Sequence, residues 1–145
     1  MAKVLIADKL SVAAERVFDA RGIESESRAG LSEDELVRIV GSFDGLVVRS
    51  VTQVTSRILE AATSLRVVGR AGTGVDNIDV GEATARGVIV MNAPFGNSVT
   101  TAEHTLALMM SVARQIPAAD RSTRSGKWEK SRYIGVELAG KTLGL

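Results

Sequence analysis

Three small groups of residues carry chemistry in this sequence. Arg49 and Ser50 follow an apolar run, Arg70 follows another, and Gly72-Thr73-Gly74 comes immediately after. A fixed positive charge next to a turn whose glycines have no Cβ is a setting in which backbone N–H groups can approach a small anion. Thr73 and Ser50 add hydroxyls. Further on, Asn92-Ala93-Pro94-Phe95-Gly96-Asn97-Ser98 forms a second turn-rich stretch. Arginine, hydroxyl and backbone donors together point to a carboxylate or phosphate ligand.

The elements that must position these residues are legible from pattern. Lys3 to Ala7, Leu46 to Arg49, Leu65 to Val68 and Val88 to Met91 are short apolar runs without polar alternation. Such runs are expected of parallel strands covered on both faces. Ile23 to Arg28 alternates weakly and reads as a polar edge strand. Helix signals separate the runs. Ser32 with Glu35 forms a capping box flanked by Leu31 and Leu36, and Asp79 with Glu82 repeats the arrangement. Ser11 and Thr55 are further caps, and Gly87 stands where a left-handed helix stop belongs. The order is β-α-β-α-β-α-β-α-β, which with right-handed crossovers gives an α/β doubly wound parallel sheet with helices on both faces. Ligands of such sheets sit beyond the carboxyl ends of the strands. Asp8, Lys9, Arg49, Ser50, residues 70–74 and Asn92 all fall on that rim.

After Met91 the character changes. Ser98 reads as the N-cap of a long helix over Val99 to Gln115, ended by Pro117. Leu106 to Ala113 is apolar on nearly every face, so this helix is expected between two bodies of protein. The Met109-Met110 pair reads as core or interface. From Ala118 to Gly126 the chain is polar and helical, and Lys127 to Lys130 is an exposed basic and aromatic patch. The residues from Lys141 read as the opening of a new strand inside which the sequence stops, so a cut sequence is expected.

Bulk properties narrow the function. The 145 residues, 45% hydrophobic and 24% charged with a net charge of +1, describe an ordinary globular protein with interspersed charges. No basic stripe supports nucleic-acid or membrane-surface binding. The absence of cysteine fits a cytoplasmic protein, and no apolar run approaches a membrane span. Arg49-Ser50 at the end of the third strand argues against a phospho-receiver, which needs a carboxylate there. Asp8-Lys9-Leu10-Ser11 does not supply a flavin phosphate loop. A stand-alone binding module and a purely structural dimerisation domain stay open.

In combination, Arg70 to Asn77, Asn92-Ala93-Pro94 with Gly96-Asn97-Ser98, Thr100 to His104, Arg114 to Pro117, Gly126-Lys127-Trp128 and Gly140 to Gly144 resemble the NAD-dependent D-2-hydroxyacid dehydrogenases over essentially the whole chain. The resemblance implies a flavodoxin-like substrate-binding domain over residues 1–97, a long interdomain helix and connector over 98–140, and the first strand of a Rossmann, dinucleotide-binding domain from 141. It implies NAD as cofactor, a small 2-hydroxyacid substrate and a homo-oligomer. Its motifs favour oxidation of 3-phospho-D-glycerate, a step of serine biosynthesis, over glyoxylate or hydroxypyruvate reduction. It places Arg49, Ser50, Arg70, Gly72, Thr73, Gly74 and Asn97 on the substrate, with Thr73 also against the nicotinamide end of the cofactor. Lys130 matches a basic position that reaches a neighbouring subunit's substrate phosphate. No catalytic residue and no metal site is assigned within these residues, so the chain alone is expected to be inactive.

Several of these residues have a plainer reading. For Arg70 a structural ion pair with Asp76 or Asp79 stands level with a ligand role, Asn97 serves a turn or cap, and Lys130 is ordinary surface. His104, the single histidine, is read as a packing or hydrogen-bonding residue of the long helix.

Overall fold

A computed structural model describes residues 2–144, which form two compact units meeting in sequence at Asn97 and Ser98. The first unit contains β1 (Lys3–Ile6), α1 (Ala13–Asp19), β2 (Glu24–Ser27), α2 (Glu33–Ile39), β3 (Gly45–Val48), α3 (Ser56–Ala61), β4 (Val67–Arg70), α4 (Val80–Ala85) and β5 (Ile89–Met91). All five strands are parallel, in the order β2-β1-β3-β4-β5. The chain therefore builds outward from β1 to β2, then reverses and builds outward through β3. The loops leaving β1 and β3 diverge at that reversal, which is where a ligand crevice opens in sheets of this kind.

Register places Leu5 beside Leu46, Leu46 beside Val68 and Val68 beside Val90. Leu5, Leu46 and Val68 are fully buried and join Leu36, Ile58, Leu59 and Ala83 from three helices in one core cluster. The polar strand β2 does lie at an edge, where Lys3 bridges Glu24 and Glu26 at 3.4 and 3.3 Å. Burial of both faces was expected of every apolar run, and β5 departs from it. Its Val90 packs on the core, while Ile89 and Met91 are exposed. The fourth strand also starts later than expected. Leu65 is bonded in a turn to the Ala62 carbonyl, and ladder pairing begins only at Val67 opposite Gly45.

Local signals set most helix starts. Ser32 Oγ accepts from the Glu35 N–H at 3.4 Å and the Glu35 carboxylate accepts from the Ser32 N–H at 2.8 Å, a complete capping box. Thr55 caps α3 through the Ile58 N–H, and Asp79 caps α4 through the Glu82 N–H. The Glu82 side chain does not return to Asp79; it takes Arg86 one turn on instead. Ser11 does not hold the N-cap position itself, which falls to Val12, but its Oγ accepts from the Ala13 N–H at 3.3 Å at the start of α1.

The second unit contains α5 (Ser98–Ala113), α6 (Ile116–Arg124) and a 3-10 turn over Lys130–Tyr133. Ser98 is the first helical residue of α5. The helix stops before Pro117, because Gln115 takes a left-handed backbone (φ 54°), and the proline lies in the first turn of α6. No residue of α5 is buried: Leu106 and Leu108 are 53% exposed and Val112 76%. The strand expected from Lys141 is not formed over residues 141–144, which have no regular secondary structure. A strand persists through ladder bonds to a neighbour, and none is paired with this segment among the described residues. Leu145 lies outside the described residues.

The core and the caps make separable contributions. Leu46→Ala is expected to cost about 3 kcal/mol by leaving a cavity on the central strand, and Ser32→Ala about 1 kcal/mol by removing one exposed cap. Urea unfolding of the two variants checks this, and equal losses would contradict it.

Candidate functional site

At the end of β3 the chain leaves the sheet and turns through Arg49-Ser50-Val51-Thr52. Its N–H groups lose their ladder partners there, and Asp8 supplies replacements from the loop after β1. Its carboxylate accepts from the N–H groups of Arg49 at 2.6 Å, Val51 at 3.2 Å and Thr52 at 3.1 Å, and from Thr52 Oγ1 at 2.7 Å. Asp8 is only 3% exposed. Burial opposes its ionisation, but the Thr52 hydroxyl and the three backbone donors outweigh that and hold the carboxyl below its usual value.

The other side of the turn is held by Asn77, which is 5% exposed. Its Nδ2 donates to the carbonyls of Arg49 at 3.0 Å and Thr52 at 2.6 Å. Its Oδ1 accepts from Arg70 Nε at 2.7 Å. Arg70 Nε also reaches the Arg49 carbonyl at 3.0 Å, its Nη1 donates to the Gly74 carbonyl at 2.7 Å, and its Nη2 lies 3.5 Å from Asp76. The Arg70 side chain is 12% exposed and the Asp76 side chain 83%. Arg70 thus fulfils the plainer expectation of pairing with Asp76, while still lining the cleft described below.

This brace explains the two glycines. A Cβ on Gly72 would stand 2.8 Å from Arg70 Nη1, and one on Gly74 would stand 2.8 Å from Asp76 Oδ1. Neither glycine has a positive φ, so backbone conformation does not require them. The space their missing Cβ atoms leave is taken by the internal Arg70–Asp76 pair. The outer side of the loop is tied as well. Thr73 Oγ1 donates to Asn97 Oδ1 at 3.0 Å, Asn92 Nδ2 to the Thr73 carbonyl at 2.7 Å, and the Ala93 N–H to the Gly72 carbonyl at 2.9 Å.

A cleft of about 670 Å³ results, lined by Arg49, Ser50, residues 70–74, Asp76, Ala93, Gly96 and Asn97. The structure brings seven of the eight residues singled out from the sequence into this one cleft: Arg49, Ser50, Arg70, Gly72, Thr73, Gly74 and Asn97. The Arg49 guanidinium has no ion-pair or hydrogen-bond partner among the described residues. Lys130 is not part of this cleft. It belongs to the second unit, in a separate cleft with Arg114, Trp128, Ser131, Tyr133 and Ile134. His104 is an exposed residue of α5. Sequence reading missed Asn77 as a site component. The signal present was an Asn next to Asp76 just past the glycine turn, but its partners lie at Arg49 and Thr52, far back along the chain.

Residues 4–140 match the family model of the D-isomer specific 2-hydroxyacid dehydrogenase, catalytic domain. The chain belongs to that family. Over 143 residues it is 49% identical to D-3-phosphoglycerate dehydrogenase of Archaeoglobus fulgidus, covering 99% of this chain and 27% of that protein. The chain thus spans about a quarter of the length of the curated relatives it matches. Among solved structures, the PH0520 protein of Pyrococcus horikoshii superposes with a TM-score of 0.82 at 34% identity, covering 92% of this chain and 40% of that one. The NAD+-bound 3-phosphoglycerate dehydrogenase of Entamoeba histolytica shares the fold, with a TM-score of 0.68 at 23% identity, covering 78% and 39% of the two chains.

The cleft fits a small anion better than a whole dinucleotide. Gly72-Thr73-Gly74 continues as Val75-Asp76-Asn77, not as the Gly-x-Gly-x-x-Gly turn that receives a pyrophosphate. The space at both glycines is filled from within by Arg70 and Asp76. The pyrophosphate of a dinucleotide therefore has no receiving turn in this cleft.

The folded state lowers the Asp8 pKa, so the stability this carboxylate contributes is present above its unfolded pKa of about 4 and is lost as pH falls through the folded value. Asp8→Asn is expected to cost about 2–3 kcal/mol at pH 7, with the difference from the parent chain shrinking below about pH 4. Urea unfolding across that range checks it. A difference that stayed constant with pH would contradict the assignment.

Proposed function

We propose that this chain is the substrate-binding part of an NAD-dependent D-3-phosphoglycerate dehydrogenase, which oxidises 3-phospho-D-glycerate to 3-phosphohydroxypyruvate in serine biosynthesis. The observation that carries the reading is an Arg49 guanidinium without a partner among the described residues, beside a fully braced glycine loop at the carboxyl ends of β3 and β4. The identity to D-3-phosphoglycerate dehydrogenase over nearly the whole chain supports this substrate over others of the family.

The residues bind and orient. Arg49 takes the substrate carboxylate or phosphate through paired N–H donors. Ser50, Asn97 and the Gly72-Thr73-Gly74 loop supply neutral donors beside it, and Arg70 adds positive charge from behind the loop. Thr73 faces the nicotinamide end of the cofactor. NAD, when bound, supplies the acceptor for the hydride lost from the substrate carbon. Fixing the substrate against a rigid wall is the contribution of this chain. Lys130 is assigned to a phosphate held by a neighbouring subunit.

Residues 1–97 are the substrate domain and 98–140 the interdomain helix and connector, a division supported by the two compact units. Homo-oligomerisation is supported by the exposed apolar side chains of α5, and a cytoplasmic setting by the absence of cysteine. No helix among the described residues is long and apolar enough to cross a membrane.

Calorimetric titration with 3-phosphoglycerate tests the site. Arg49→Ala is expected to weaken binding at least about tenfold, the loss of one charge-assisted contact; unchanged affinity would overturn the assignment. The 145-residue chain mixed with NAD and 3-phosphoglycerate is expected to form no NADH, because it contains no pyrophosphate turn and its single histidine lies on α5. Turnover by the pure chain would contradict the division of labour proposed.

A further inference from the structure

We infer that Asn77 is a positioning residue that acts on the ligand through Arg49, coupling the turn after β3 to the glycine loop after β4. The inference rests on the anion site proposed above and adds to it a residue that does not line the cleft. Three observations carry it. The Asn77 carboxamide is buried, and both of its ends are used. Its two donated bonds go to the carbonyls of Arg49 and Thr52, the first and last residues of the turn that Asp8 holds from the opposite side. Its accepted bond comes from Arg70 Nε, whose guanidinium also carries the Gly74 carbonyl.

The consequence is a division of labour between two arginines of like charge. Arg70 is held by Asn77, Gly74 and Asp76 and works as a brace. The backbone of Arg49 is clamped between Asp8 and Asn77, so its side chain starts from a fixed Cα while its guanidinium meets no partner among the described residues. A long side chain on a fixed root loses less freedom on meeting a ligand than one on a mobile turn, and affinity gains by that difference. An amide is required at position 77. A carboxylate would keep the Arg70 bond but turn two donors into acceptors facing two carbonyls.

The test uses the 145-residue chain, 3-phosphoglycerate as probe, and the variants Asn77→Asp and Asn77→Ser, each alone and combined with Arg49→Ala. Asn77→Asp is expected to weaken binding about tenfold in the parent chain and less than twofold in the Arg49→Ala background, since a residue acting through Arg49 has nothing left to act on. Asn77→Ser, which removes the reach without adding charge, covers the case in which the aspartate variant fails to fold. Amide hydrogen exchange is read in parallel. Exchange at Arg49, Val51 and Thr52 should accelerate at least about tenfold while Leu5 and Leu46 in the sheet centre change little, a pattern that global destabilisation does not produce. Equal losses of affinity in both backgrounds, or exchange accelerating uniformly, would overturn the inference. Should the parent chain bind no 3-phosphoglycerate, the functional reading fails, and the exchange pattern alone still decides whether Asn77 holds the turn.

Discussion

Where β3 ends, three backbone N–H groups between Arg49 and Thr52 need acceptors that the sheet no longer provides. The buried carboxylate of Asp8 accepts all three and a hydroxyl besides. An uncompensated carboxylate at this depth would be costly, and unpaired N–H groups there would be too; each removes the other's penalty. The bonds also join the loop after β1 to the loop after β3 at the point where the strand order reverses. Every later feature of the cleft is referred to this joint, because Asn77 holds the opposite side of the same turn and Arg70 extends the network to the glycine loop.

The electrostatics follow from that arrangement. Two arginines line the cleft, but they are not equivalent. Arg70 lies beside Asp76 and among carbonyl oxygens, and each of its three guanidinium nitrogens faces a protein acceptor. Arg49 retains its guanidinium donors among the described residues. An incoming anion would therefore meet this cation and a preformed loop. Binding a carboxylate or phosphate in this cleft requires no rupture of the internal network, which is the physical content of a preorganised site.

Much of this was legible in the residues themselves. Apolar runs located the strands, because a buried parallel strand cannot carry polar alternation, and Ser32, Thr55 and Asp79 announced helix starts through bonds spanning three residues. Arg49, Ser50 and residues 70–74 were placed on the rim because the rim follows from strand order. The remainder depends on contacts between distant positions. Asn77 meets Thr52 and Asp8 meets Arg49 across long stretches of chain, and no local pattern records them. The glycines of the loop were read as room for a ligand, whereas Arg70 and Asp76 occupy the room in question. The start of β4 is set by its pairing with Gly45, and the end of α5 by a left-handed Gln115, a residue with no strong local signal for that backbone.

The central claim, that a small phosphorylated 2-hydroxyacid sits in the cleft between the turn after β3 and the loop after β4, is tested most directly by mapping backbone amide shifts in the NMR spectrum during titration with 3-phosphoglycerate. The account predicts saturable shifts concentrated at Ser50, residues 71–74 and Gly96-Asn97, with the Asp8-bonded amides of Arg49, Val51 and Thr52 moving little. Shifts confined to the cleft around Arg114, Trp128 and Lys130, or scattered over the surface without saturation, would contradict it.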